Sequence, residues 1–193
     1  MRKYWLSSPI IIFCLALVIS AIPQARPSVE QAKPTVERDL ALFGPAADAL
    51  TAAGFNPKGK ITVFPREEEQ GADKIRVEVE GLPVNTRFTV FLSELNTFPF
   101  GSLEYIAEVS TNSAGSGSVT AKLVVLDAFA LKTAPNHAPP PLFATPINVD
   151  LNHIVLWFAD SAADDAFTNL GAGPFDADRD SGVAVLRTIE PLP

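Results

Sequence analysis

Cysteine is almost absent from the chain, which has only Cys14 among its 193 residues. A single thiol cannot form an intramolecular disulfide, and Cys14 lies in an apolar run near the N-terminus. A small secreted domain without disulfides must be held by an ordinary hydrophobic core. The roughly 150 residues that follow the N-terminal segments are enough to build one such core.

Histidine and positive charge are also scarce. The two histidines, His137 and His153, could form a zinc site only together with carboxylates, because such sites need three or four protein ligands. The 22 acidic residues outnumber the 15 basic ones, for a net charge of −7. This balance argues against nucleic acid and anionic lipid as partners. The usual nucleophile, phosphate-loop, dinucleotide and zinc-protease motifs are missing, so the sequence indicates no enzyme class.

The N-terminus has the pattern of an export signal. Arg2 and Lys3 precede an apolar run from Leu6 to Ala21, in which Ile19 and Ala21 suit the −3 and −1 positions of a cleavage site. This predicts a signal peptide over residues 1–21. The alternative is an uncleaved anchor, although about 16 apolar residues fall short of the ~20 that span a bilayer. We therefore expect a secreted, extracellular protein, or one held on the outer face of the membrane by its leader alone.

The chain after the leader divides into three parts by composition. Residues 22–44 carry several prolines among polar residues and predict a flexible spacer. Residues 45–54 predict one short helix, which Pro45 begins and Gly54 ends. Residues 59–190 change to a period of two, which predicts β-strands.

Seven apolar–polar alternations indicate the strands. We expect them at residues 60–64, 74–80, 87–93, 103–109, 118–125, 149–159 and 182–188. Short strands separated by turn residues predict a single seven-stranded antiparallel β-sandwich of the Ig-like type. The stretch 149–159 is apolar on both faces and is expected to be central. The predicted core residues are Ile75, Val77, Val79, Phe88, Val90, Val119, Leu123, Val155 and Trp157.

The turn over Val79 to Glu94, "VEGLPVNTRFTVFLSE", is similar to a turn in two secreted β-sandwich families. Leu82, Pro83, Thr86 and Phe88 resemble a turn of fibronectin type III domains, and Gly81, Leu82 and Pro83 resemble one of copper–zinc superoxide dismutases. The resemblance implies a sandwich fold. In the dismutases the strand after this turn brings copper-binding histidines, whereas "RFTVFLSE" contains none, so the copper chemistry is not implied.

A long proline-rich connection separates two of the predicted strands. Residues 132–147 carry Leu142 and Phe143 among five prolines. Loops of this length are often functional, so we predict an interaction surface at Leu142 and Phe143. The alternative is a proline-stiffened crossover between two sheets.

Acidic residues gather between the last two strands. Asp176, Asp178 and Asp180 alternate as at the start of an EF-hand loop, but Arg187 stands where that loop needs its bidentate glutamate. An EF-hand is therefore excluded, and a looser calcium site remains, with Asp160, Asp164 or Asp165 contributing from the other end of the loop. The alternatives are a solvated acidic turn and a carboxylate pair serving a hydrolase.

Together these patterns predict a non-enzymatic secreted β-sandwich that serves as an interaction or adhesion module. The expected partner is an extracellular protein or carbohydrate, and no cofactor is expected apart from calcium. The alternative functions are a calcium-binding sandwich and a carboxylate-based hydrolase that uses residues 160–180.

Calcium binding by the acidic loop can be tested by thermal unfolding. An extracellular site of millimolar to tenth-millimolar affinity stabilises the folded state by about 1 to 3 kcal/mol at ~10 mM calcium, which raises the melting temperature by a few degrees. Magnesium should do less, and the double change Asp176→Asn, Asp178→Asn should remove the response. Sodium chloride at equal ionic strength is the control, and an equal rise in sodium would show that the loop is only screened.

Overall fold

The computed structural model describes residues 34–66, 71–131, 148–164, 166–167 and 181–193. The predicted signal peptide and the first part of the predicted spacer lie outside these ranges. Within them, none of the helices has the length and apolar character needed to cross a bilayer.

The described chain is mostly β-structure. Its strands are β1 (Val36–Leu42), β2 (Lys58–Phe64), β3 (Asp73–Glu80), β4 (Arg87–Ser93), β5 (Leu103–Ser110), β6 (Gly117–Leu123), β7 (Phe129–Leu131), β8 (Asn148–Asp150), β9 (His153–Phe158) and β10 (Ala184–Thr188). Its helices are α1 (Gly44–Ala52) and the short α2 (Ser161–Asp164). The helix predicted at 45–54 is thus present as α1, with Pro45 in its first turn and Ala46, Ala47 and Leu50 buried.

Eight strands form one antiparallel sheet in the order β5-β4-β9-β10-β1-β2-β3-β6. The edge strands β5 and β6 meet at the turn 111–116, where the N–H of Asn112 donates to the carbonyl of Ser116 at 2.8 Å. The approach is so close that a Cβ on Gly117 would stand 2.3 Å from the carbonyl oxygen of Ser110. The sheet therefore curls until its two edges touch at one end, which makes it nearly barrel-shaped.

The predicted strand count of seven is wrong, because the large sheet has eight strands and β7 pairs with β8 in a separate small sheet. The missing strand is β1, which lies in the predicted spacer and pairs with both β2 and β10. Its alternation is interrupted by Arg38, whose guanidinium donates to the carbonyl of Pro191. The predicted strand 149–159 is also divided, since β8 and β9 belong to different sheets.

The main core lies between the two halves of the curled sheet. Ile61 and Val77 from one half pack in the same cluster as Phe88 and Leu156 from the other, with Leu50 of α1. The predicted core residues Ile75, Val77, Val79, Phe88 and Val90 are buried here, and Val119 and Leu123 of edge strand β6 pack against it partly buried.

The turn that resembles those of the two β-sandwich families is fixed by close backbone contacts. Gly81 has a φ of +67°, and a Cβ there would stand 2.1 Å from the carbonyl oxygen of Asn56. The Thr111 hydroxyl donates to the carbonyl of Pro83 at 2.6 Å and accepts the N–H of Thr86 at 2.9 Å. Thr111 thus ties the turn after β3 to the turn before β6.

Asp73 is the first residue of β3 and lies at the end of β3 and β6 opposite to that turn. It joins the connection before β3 to the connection after β6. Its side chain is 1 % exposed. One carboxylate oxygen accepts the N–H of Arg66 at 2.8 Å, and the other accepts those of Val125 and Leu126, each at 2.9 Å. Burial by itself raises the pKa of the Asp73 carboxyl, but these N–H donors and the Arg66 guanidinium outweigh it and hold the pKa below its ordinary value.

We expect Asp73→Asn to destabilise the fold by about 2 to 4 kcal/mol, because an amide nitrogen cannot accept and leaves at least one buried N–H without its acceptor. Since the folded pKa lies below the unfolded value of about 3.9, the ionised Asp73 stabilises the protein above that pH, and this contribution is lost as pH falls through the folded pKa. Urea unfolding at pH 7 and below pH 4 measures both effects.

The matched control is Asp127→Asn, which removes an exposed carboxylate 2.8 Å from Nη2 of the same Arg66. That change should cost under about 1 kcal/mol, as is usual for a surface ion pair. Equal losses in the two variants would show that Asp73 acts only through the charge of Arg66.

Candidate functional site

The predicted calcium ligands are only partly within the described residues. Asp176, Asp178 and Asp180 lie outside them, as do Leu142 and Phe143 of the predicted interaction loop. Asp160 and Asp164 are described, and both accept backbone hydrogen bonds. Among the described residues, no group of three or more acidic, histidine or cysteine side chains is placed to hold a metal ion. Calcium binding and the role of Leu142 and Phe143 therefore stay predictions.

Asp160 and Asp164 organise the chain as it leaves β9. Asp160 accepts the N–H of Ala162 at 2.8 Å and so caps the short helix α2. Asp164 is buried and accepts the N–H of Val183 at 2.6 Å. A Cβ on Gly182 would stand 2.3 Å from the Asp164 carboxylate, so only glycine permits this approach. These contacts join the two ends of the acidic segment.

His153 has the environment of a structural histidine. Its Nδ1 lies 3.4 Å from the hydroxyl oxygen of Thr188, which also accepts the N–H of Ile154 at 3.0 Å. Burial and the nearby positive charge of Arg187 lower the pKa of His153. Its imidazole is therefore mainly neutral at pH 7. His153 is therefore a hydrogen-bonded residue at the boundary of the core.

The outer surface of the sheet differs between its two halves. On β1, β2 and β3 the outward positions form a charged face, whose residues are Glu37, Asp39, Lys58, Lys60, Lys74, Arg76, Glu78 and Glu80. Many of these charges pair with each other: Lys60 lies 2.8 Å from Glu37, a hydrogen bond that raises the pKa of the lysine. Such a face is typical of a solvated antiparallel sheet.

The outward positions of β4, β9 and β10 instead carry a second apolar cluster, which we call the aromatic face. Phe91, Val155, Trp157 and Ala184 are buried there, on the side of the sheet opposite the main core. Val155 and Trp157 were predicted to be core residues, and they are buried, but in this outer cluster. The cluster is covered by Phe43 and by residues 94–102, which connect β4 to β5.

Residues 94–102, the covering loop, are held by their own hydrogen bonds. Phe100 donates to the carbonyl of Thr97 at 2.7 Å, and Leu95 donates to the carbonyl of Phe100 at 2.9 Å. Phe100 has a φ of +60°, which a bulky residue seldom adopts, and its ring is 1 % exposed. The Asn96 side chain donates to the carbonyl of Ile189 at 2.8 Å, which ties the loop to the end of β10.

The rings of the aromatic face form a continuous series. Tyr105 contacts Phe91, which contacts Trp157, followed by Phe100 and Phe98, with successive centroids 6.2, 6.4, 5.2 and 6.4 Å apart. The two ends of the series reach solvent, since Tyr105 is exposed and Phe98 is 79 % exposed. Leu95 is exposed beside Phe98 on the same loop. The exposed rings at the two ends can contact a ligand, and the buried rings between them hold them in place.

Sequence reasoning missed the aromatic face as a site because buried outward residues follow the same alternation as core residues. Two signals were available: the stretch 149–159 is apolar on both faces, and "NTFPFG" (residues 96–101) places two phenylalanines in a turn. The first signal indicates that the outer face of this strand is covered, and the second marks a turn whose rings can cover an apolar face.

The sequence was compared with protein-family models and with curated proteins, and neither comparison finds a match.

Proposed function

We propose that this protein is a non-enzymatic, extracellular binding module that holds a carbohydrate against its aromatic face. The observation that carries the proposal is the series of rings from Tyr105 to Phe98, exposed at both ends and packed in the middle. Sugar rings stack on aromatic side chains through their apolar faces. Rigid, partly exposed aromatic residues are also the side chains that contribute most energy to protein binding surfaces.

The packing beneath the exposed rings supports this proposal. Phe98 stands on Phe100, which is itself wedged between Trp157 and Phe43 at centroid distances of 5.2 and 5.1 Å. A side chain that is already held in place loses little conformational freedom when a ligand binds. Isolated exposed apolar residues are common on protein surfaces, whereas contiguous exposed apolar patches mark contact sites. Leu95 and Phe98 are both exposed on the covering loop.

The proposed fold of the module is a flattened, sandwich-like arrangement of the two sheet halves around one core. This arrangement is supported by the main core, which is formed by residues of β2 and β3 on one side and of β4 and β9 on the other. Extracellular location rests on the predicted signal peptide at residues 1–21.

Binding can be tested by sedimenting the purified protein with insoluble cellulose, chitin and peptidoglycan. We expect retention on at least one of them and a loss of affinity of about fivefold to thirtyfold in Phe98→Ser, because an exposed ring at the centre of a contact contributes about 1 to 2 kcal/mol. Reducing ends released during the incubation would instead support the hydrolase alternative.

The matched control is Phe129→Ser. Phe129 is 60 % exposed and belongs to the separate β7–β8 sheet, so this change removes another exposed ring from a different surface. Equal retention of the two variants, or no retention of the unaltered protein on any of the three polysaccharides, would contradict the proposal.

A further inference from the structure

A bulge in β5 turns the ring of Tyr105 to the outer side of the sheet. Ala107 lies opposite Val90 of the main core, and in a regular strand Tyr105, two positions away, would face the core as well. Ile106 is an extra residue in β5, so Tyr105 lies opposite Phe91 of the aromatic face instead. Bulges at sheet edges often redirect a side chain beside a functional site.

The same bulge places Tyr105 next to an ion pair. The neighbouring outward position on β5 is Glu108, which lies opposite Thr89, and Thr89 lies opposite Trp157 of the aromatic face. Nη1 of Arg87 donates to the two carboxylate oxygens of Glu108 at 3.2 and 3.3 Å. The side chains of Arg87 and Glu108 are 43 % and 29 % exposed, and Tyr105 is 41 % exposed. All three groups are therefore open to solvent at the edge of the sheet.

An exposed ring beside an exposed arginine–glutamate pair can hold a sugar. The ring stacks on the apolar face of the sugar. The ion pair can still bind its hydroxyl groups, because a guanidinium has five N–H donors and a carboxylate has about four acceptor positions. A neutral hydroxyl group uses the remaining donors and acceptors without breaking the pair. Its hydrogen bonds are strong because the protein partner is charged.

We infer that Tyr105, Arg87 and Glu108 form a second sugar-binding subsite, and that one saccharide chain contacts this subsite and Phe98 together. The inference rests on the proposed function and names its ligand class as an oligosaccharide or polysaccharide rather than a single sugar.

The positions of the two exposed rings set the size of the ligand. The buried rings of Phe91, Trp157 and Phe100 stand between Tyr105 and Phe98 in the aromatic series. A single sugar has about the size of one aromatic ring, so it cannot cover both ends. Phe98 and Tyr105 are seven positions apart in the chain, which limits the distance between their Cα atoms to about 25 Å. A chain of several sugars spans such a distance.

The dependence of affinity on ligand length tests this inference. The probes are a disaccharide and a hexasaccharide prepared from each of cellulose, chitin and peptidoglycan, titrated into the protein in a calorimeter. For at least one polymer, we expect the hexasaccharide to bind at least about tenfold more tightly than the disaccharide, because two contacts on one chain reinforce each other.

Variants of the subsite separate binding from folding. In Tyr105→Ser the hexasaccharide should bind no more tightly than the disaccharide, whereas Tyr105→Phe keeps the ring and should stay within about twofold of the unaltered protein. Glu108→Gln should weaken hexasaccharide binding several-fold, since it removes the charged acceptor. The matched control is Glu78→Gln, which breaks the 2.8 Å pair with Arg76 on the charged face and should bind normally. Melting temperatures identify any variant that fails to fold.

Three results would overturn the inference: equal affinities for the disaccharide and the hexasaccharide, a folded Tyr105→Ser variant that keeps the full dependence on length, or no binding of any hexasaccharide. If the protein is still retained on a polysaccharide and Phe98→Ser still loses that retention, these results reject the second subsite and leave the proposed binding module standing.

Discussion

The structure depends on the burial of β9 on both of its faces. Ile154, Leu156 and Phe158 enter the main core, while Val155 and Trp157 point to the other side of the sheet. Because a strand alternates sides at every residue, the second set must be covered by something outside the sheet. Residues 94–102 and Phe43 provide that cover. The connection after β4 meets this requirement because β4 is a neighbour of β9 in the sheet and the connection places Phe100 against Trp157.

The same requirement makes the two outer surfaces unlike each other. The half formed by β1, β2 and β3 has one buried face, so its outward residues are charged and pair across the strands, as Lys58 does with Glu80. The half around β9 has two buried faces, and its outer layer ends in exposed rings. On a surface of paired charges, a charged group of a ligand must compete with the existing ion pairs, so the surface contributes little binding energy. On the aromatic face, the exposed rings pack on a buried layer and can contact a ligand with little loss of conformational entropy.

Most of the strands could be predicted from the sequence because their alternation is a local property. In β3 it is uninterrupted, and the prediction over 74–80 differs from the observed strand only at the first residue. In β1 the charged Arg38 breaks the pattern, and its guanidinium donates to the carbonyl of Glu37 and to that of Pro191, which lies more than 150 positions away in the chain. The order of strands, the near closure of the sheet and the hydrogen bonds from Val125 and Leu126 to Asp73 also depend on residues far apart in sequence, so no local pattern could indicate them.

The residues of the candidate site were harder to predict, because in the sequence they resemble core residues or only argue against a calcium loop. Trp157 was assigned to the core from its alternation, and it is buried, but on the outer face. In the sequence, Arg187 stands where an EF-hand loop needs glutamate and so indicates only that this loop is not an EF-hand. In the structure this arginine lies over Phe43 with no carboxylate among the described residues, beside an indole N–H that also lacks an acceptor. The surroundings of both side chains depend on Phe43 and residues 94–102, which lie far from them in the chain, so no local pattern could indicate them.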